Sequence, residues 1–229
     1  MNDHHQINKP FYFKISVIVF FALLLSQSLF AHVIVGELEK MSKVDAAVIY
    51  LEIGYQHILP QGFDHILFVL SLFLLSPKLK PVLLQATAFT IAHSVTLALA
   101  MYHVITPPTQ IIEPLIAISI VYVALENIFS PRLKPSRIGV VFLFGLVHGM
   151  GFAGALGQLG LPQDHYLLAL VMFNLGVELG QITVIILAFL LVGKWFGKKP
   201  YYTKLVVIPA SVIIALIASF WTIQRIFFT

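Results

Sequence analysis

Gly62-Phe63-Asp64-His65-Ile66-Leu67-Phe68-Val69-Leu70-Ser71-Leu72-Phe73-Leu74-Leu75 decides how this chain folds. An acid and an imidazole stand side by side at the mouth of an apolar run. Outward from it the pattern recurs. His93 lies in Phe89-Thr90-Ile91-Ala92-His93-Ser94, His148 in Leu146-Val147-His148-Gly149-Met150-Gly151, and Glu178 in Phe173-Asn174-Leu175-Gly176-Val177-Glu178. Ionisable side chains inside a bilayer are costly, about 2.5–3.5 kcal/mol for Asp or Lys at a helix centre, so several together point to groups that face one another or a wet cavity.

Composition sets the class. Of 229 residues, 59% are hydrophobic and 10% charged. A hydrocarbon core of about 30 Å needs roughly 20 apolar residues in a helix, and several runs approach that length. The expected fold is all-α: a polytopic membrane helix bundle of six transmembrane helices behind an N-terminal signal peptide. The net charge of +4 is small and its lysines and arginines fall in short loops, which excludes a nucleic-acid-binding patch. With no cysteine, any metal must be held by nitrogen and oxygen.

Residues 1–31 have a basic start, an apolar stretch from Ile15 to Phe30 and Ala31 at the exit, and read as a signal peptide, with an uncleaved signal anchor as the alternative. Residues 32–229 form the six-span domain. Within it, 33–55 mixes charged residues with Val44, Ala47, Val48 and Leu51 at helical spacing, and reads as a short extracytoplasmic or interfacial helix running into the first span. Leu59-Pro60-Gln61-Gly62 then breaks the helix. Broken backbone at membrane depth is tolerated where it is buried in protein or lines a cavity; a plain helix boundary at the interface is the other reading.

The spans read as 63–76, 82–104, 111–129, 138–157, 165–192 and 204–226. Lys78 and Lys80, Arg132, Lys134 and Arg137, and Lys194, Lys198, Lys199 and Lys204 fall in alternate loops, whereas 105–110 and 158–164 hold no lysine or arginine. The positive-inside rule makes the basic loops cytoplasmic and puts both ends of the mature chain outside, in a bacterial inner membrane. Trp195, Tyr201 and Tyr202 suit an interfacial aromatic belt.

Asp64, His65, His93, His148 and Glu178 form the expected metal set, with His57, Ser94, Asn174 and Gln181 in support. Two or three imidazoles with one or two carboxylates suit nickel, cobalt, zinc or similar divalent ions. Asp64 is either a ligand or the group that holds the His65 ring. Ser94 and Thr96 are as readily bonded back to their own helix. Glu126-Asn127, near Arg132 and Arg137, reads as a structural ion pair, and Glu113 before Pro114 as a helix start. Gly145, Gly149, Gly151, Gly154 and Gly157, with Gly176 and Gly180, predict close helix packing that brings His148 and Glu178 together.

With these residues in view, the chain resembles the HupE/UreJ family of membrane proteins associated with hydrogenase and urease. The resemblance rests on Gly62-Phe63-Asp64-His65-Ile66-Leu67-Phe68, Ala92-His93-Ser94-Val95-Thr96-Leu97, Glu113-Pro114-Leu115-Ile116-Ala117, Val123-Ala124-Leu125-Glu126-Asn127, His148-Gly149-Met150-Gly151-Phe152-Ala153 and Phe173-Asn174-Leu175-Gly176-Val177-Glu178-Leu179-Gly180-Gln181. It implies six spans behind a cleaved signal and import of nickel or cobalt for metalloenzymes, with accessory maturation proteins as partners besides the bilayer and the ion. Nickel permeases of this group place a histidine before an Asp-His pair; His57 and Asp64-His65 look like that arrangement with one more residue between. Their fourth-span His-Gly motif is followed by an acid. Here Met150-Gly151-Phe152-Ala153 supplies none, and Glu178 stands as the carboxylate from another helix.

Three functions therefore compete. One is a divalent-metal permease with an intramembrane site. Another is an intramembrane zinc hydrolase in which Glu178 is the general base, although HExxH is absent. The third is a scaffold whose polar groups only join helices.

Overall fold

A serine begins the first helix. Ser42 Oγ accepts the Asp45 backbone N–H at 3.2 Å and donates to the Asp45 carboxylate at 2.6 Å, which caps α1 (Lys43–Ile58) and sets an acid against its positive end. The computed structural model describes residues 42–130, 133–159 and 165–228. The expected signal peptide, Arg132 and loop residues 160–164 lie outside the described residues. Among those described there is no strand.

The chain then runs through α2 (Phe63–Leu75), α3 (Leu79–Met101), α4 (Thr109–Phe129), α5 (Arg137–Leu159) and α6 (Tyr166–Ala188). A π turn at Phe189–Gly193 carries α6 on to Phe196, and a second at Thr203–Val207 leads into α7 (Ile208–Phe227). Five of these segments are long and apolar enough to cross a bilayer. The pair α1 and α2 meets the same test jointly, bent by 68° at Leu59-Pro60-Gln61-Gly62, and counts as a sixth candidate span when taken as one. The expected all-α, multi-pass membrane fold is what the chain adopts.

The break is tight. A Cβ at Gly62 would sit 2.1 Å from the His57 carbonyl oxygen, so only glycine lets the chain bend this closely past the end of α1. The helix expected outside the membrane does not stand apart from the bundle: α1 packs along α6. A Cβ at Gly54 would lie 1.9 Å from the Phe173 carbonyl oxygen, and one at Gly176 lies 2.1 Å from that of Leu51. The other extensive pairs are α3 with α5 and α4 with α7. In the first of these, a Cβ at Gly149 would meet the His93 carbonyl oxygen at 2.2 Å. Of the α5 glycines, Gly145 and Gly149 pack closely against α3 and Gly151 meets Ile116 of α4, whereas a Cβ at Gly154 or Gly157 would meet nothing within 4 Å. Gly176 and Gly180 of α6 face α1, so the glycines do not bring His148 to Glu178.

At the lysine-bearing end, Arg137 is 1% exposed and pairs with Glu126 at 2.9 Å. Its Nη2 also donates to Asn127 Oδ1 at 3.1 Å, while Asn127 Nδ2 donates to the Ser71 carbonyl at 2.8 Å and to Ser211 Oγ at 3.3 Å. This network joins α2, α4, α5 and α7 and is the structural ion pair expected for Glu126; Arg137 is therefore a buried group rather than a loop cation. Glu113 does not begin a helix, since α4 starts four residues earlier and encloses Pro114. Trp195 and Tyr201 are exposed as a belt requires, whereas Tyr202 is buried against the core.

Candidate metal centre

The break between α1 and α2 sets His57, from the last turn of α1, opposite His65, from the first turn of α2. Their ring centroids are 4.6 Å apart. His93, mid-way along α3, completes a triangle at 6.2 Å from His57 and 6.1 Å from His65. One nitrogen from each of these three rings lies within 4.8 Å of the other two. Donors at about 2.0–2.1 Å from one ion stand at most about 4.2 Å apart, so a short inward movement closes the set on a cation.

The rings are aimed by what holds their far sides. His93 Nδ1 lies 3.1 Å from Asn174 Oδ1, and Asn174 Nδ2 donates to the Leu170 carbonyl at 2.8 Å. The amide orientation is thus fixed with its oxygen toward the ring, which places the His93 proton on Nδ1 and leaves Nε2 with a free lone pair. The Nε2 atoms of His57, His65 and His93 are all buried without a hydrogen-bond partner among the described residues. Buried polar atoms are normally paired; an unpartnered nitrogen on each of three neighbouring rings makes a candidate donor set for a cation. Phe152 packs on the His57 ring at 3.8 Å between centroids and stacks on Phe173 at 5.0 Å, so aromatic walls restrict how far the imidazoles swing.

His148 stands beside this triangle, its ring 5.0 Å from that of His65. Ser119 Oγ donates to the Ile116 carbonyl at 2.6 Å, so it accepts from His148 Nε2 at 3.0 Å and leaves Nδ1 as the free, unpartnered nitrogen. The three histidines expected from the sequence come together, and His57, expected only in support, joins the triangle. Asn174, expected only in support, lies against His93.

Neither carboxylate belongs to the triangle. Glu178 accepts from Thr87 Oγ1 at 2.6 Å, one helical turn beyond Asn174 on α6. Gln181 accepts from Thr90 Oγ1 at 3.4 Å, and Ser94 donates to the Thr90 carbonyl at 2.6 Å, bonded back to its own helix. Asp64 points the other way along the cavity and pairs with Arg225 Nη2 at 2.8 Å. Arg225 has no motif around it. Its one sequence signal is a lone cation near the end of the last apolar span, four residues after Trp221.

A cavity of about 380 Å³ is lined by His57, His65 and His148 and by Asp64, Glu113 and Arg225. Charged groups and imidazoles thus share one opening. The arrangement suits reversible capture of a borderline divalent cation.

The family model described as HupE / UreJ protein matches residues 35–225. No curated protein and no solved structure matches the chain.

Proposed function

The chain belongs to the HupE/UreJ family, and on that premise we propose that it is an integral membrane permease for a divalent cation, nickel or cobalt, that supplies metalloenzymes. The observation that carries the reading is the group of three histidines, one nitrogen from each within 4.8 Å of the others, whose Nε2 atoms are buried without a hydrogen-bond partner among the described residues. Imidazole binds such ions without a permanent charge at the site, so the ion brings in the charge and takes it away when it leaves. Secondary transporters commonly hold their cargo near the bilayer midplane, at interrupted helices. The α1–α2 break beside His57 and His65 is such an interruption.

With the lysine-bearing loops on the cytoplasmic side of a bacterial inner membrane, the cavity faces outward and the Arg137–Glu126 network closes the inner end. His57, His65 and His93 hold the ion, His148 takes it next through Nδ1, and Asp64 attracts it at the mouth. Hydrogenase or urease maturation proteins are the receiving partners that the resemblance suggests. The zinc hydrolase reading gains no support from the geometry, because Glu178, its general base, accepts from Thr87 and is not part of the three-histidine group.

The test is uptake of nickel and of cobalt by cells expressing the full chain or a His93→Ala variant. The reading requires accumulation with the parent chain and loss of it with the variant at equal membrane abundance. Equal uptake by both sinks it.

A further inference from the structure

Asp64 has a place in the permease reading but Arg225 has none, and a fixed cation at the mouth of a cation site calls for a reason. Its guanidinium lies 2.8 Å from Asp64 Oδ2 and donates to the Glu113 carbonyl at 3.2 Å, with the Glu113 carboxylate at 4.0 Å and the Trp221 ring at 5.8 Å. The side chains of Arg225 and Asp64 are 21% and 23% exposed, so the pair is partly desolvated and its charges are poorly screened.

We propose that Arg225 is a built-in competitor for the cargo: it occupies Asp64 when no cation is held, yields it to an arriving divalent ion, and takes it back as the ion leaves. The proposal rests on the permease reading and deepens it. Its geometry is that of an exchange partner. Asp64 holds the guanidinium from α2, but both Glu113 contacts come from α4. When a cation claims the carboxylate, the guanidinium keeps two anchors on α4 within reach of the same spot. A free Asp64 at the mouth of a histidine site would hold a divalent ion strongly there, and a carrier that binds too tightly turns over slowly. The like charge of Arg225 raises the energy of the bound state and so favours release. The bland alternative is a staple that ties α7 to α2 and α4, aided by a cation in the last turn of a helix.

The two differ in what they do to affinity. The experiment uses the purified full chain in detergent and in proteoliposomes, with nickel(II) chloride as probe. Calorimetry gives affinity, a chelator chase gives the rate of release, and vesicle uptake gives KM and the maximal rate. Competition predicts that Arg225→Gln binds nickel more tightly by about tenfold, the order set by a neighbouring like charge at a partly buried site. Release slows in proportion, and KM and the maximal uptake rate fall together. Arg225→Lys keeps the charge and stays near the parent, and in an Asp64→Asn background the effect of Arg225→Gln shrinks. Unchanged or weaker nickel affinity in a folded Arg225→Gln protein overturns the proposal, as does an effect of equal size without Asp64. If Arg225→Gln does not fold, the comparison of Arg225→Lys with Asp64→Asn decides: competition requires parental affinity in the first and weaker binding in the second. A parent chain that binds no nickel or cobalt instead overturns the permease reading itself.

Discussion

His93 Nδ1 lies 3.1 Å from Asn174 Oδ1, across α3 and α6, and that contact decides which nitrogen of the ring is free to meet a cation. Partners of this kind are typically worth 10–100-fold in metal affinity. Asn174→Leu removes the acceptor and frees the ring to adopt the other tautomer. Nickel affinity of the purified protein should fall by about 10–100-fold with little change in thermal stability. Parental affinity in that variant would mean that His93 is not held by Asn174 in the working protein.

The triangle includes His57 and leaves out Glu178, which separates two ligand sets by experiment. His57→Ala should weaken nickel binding by roughly a hundredfold or more, because one of three coordinating groups is lost. Glu178→Gln keeps the bond with Thr87 available and should bind nickel as the parent does. The reverse ranking in calorimetry would move the site down α6, toward the carboxylate.

Backbone contact at Gly149 leaves no room for a side chain, since a Cβ would lie 2.2 Å from the His93 carbonyl and 2.4 Å from Thr96 Oγ1. Gly149→Ala must push α5 from α3, at a cost of about 1–3 kcal/mol. Gly139→Ala, on the same helix with nothing within 4 Å of the added atom, serves as the control. Thermal unfolding in detergent should show a clear loss for the first and none for the second. Equal melting temperatures would contradict the packing.

Arg137 is buried in its pair with Glu126, and a buried charge stripped of its partner is expensive. Glu126→Gln should destabilise the protein by about 3–5 kcal/mol. Joint replacement by Arg137→Met and Glu126→Leu should cost less than the single change, because no unpaired charge is left behind. Chemical or thermal unfolding of the two variants checks the order; a double variant that is the weaker of the pair would show that the network acts through its bonds to Ser71 and Asn127 instead.

Much of the molecule was legible in the chain. Six apolar segments and the alternation of basic with lysine-free loops are properties of composition and length, and the bilayer enforces both, since its thickness sets the helix length and its interior forbids unpaired backbone. The histidines at 65, 93 and 148 stood out because an ionisable group in such a segment is costly. The Glu126 ion pair was readable from charges brought to the same end of neighbouring spans.

What the sequence left open was decided by orientation and by the bend of the chain. Glu178 sits at a suitable depth, yet a turn along α6 separates it from Asn174, and depth alone does not say which way a side chain faces. His57 looked peripheral because six residues part it from Asp64. The bend at Gly62 brings it against His65 all the same, since the absence of a Cβ there lets the backbone close on the His57 carbonyl. Arg225 lies 161 residues from Asp64 in the chain, and no local pattern links them. Sequence determined that the chain crosses a membrane and which costly groups it carries inside. Only the tertiary structure decided which of them meet, because contact in a helix bundle depends on the rotation of each helix and on close approaches that single glycines permit.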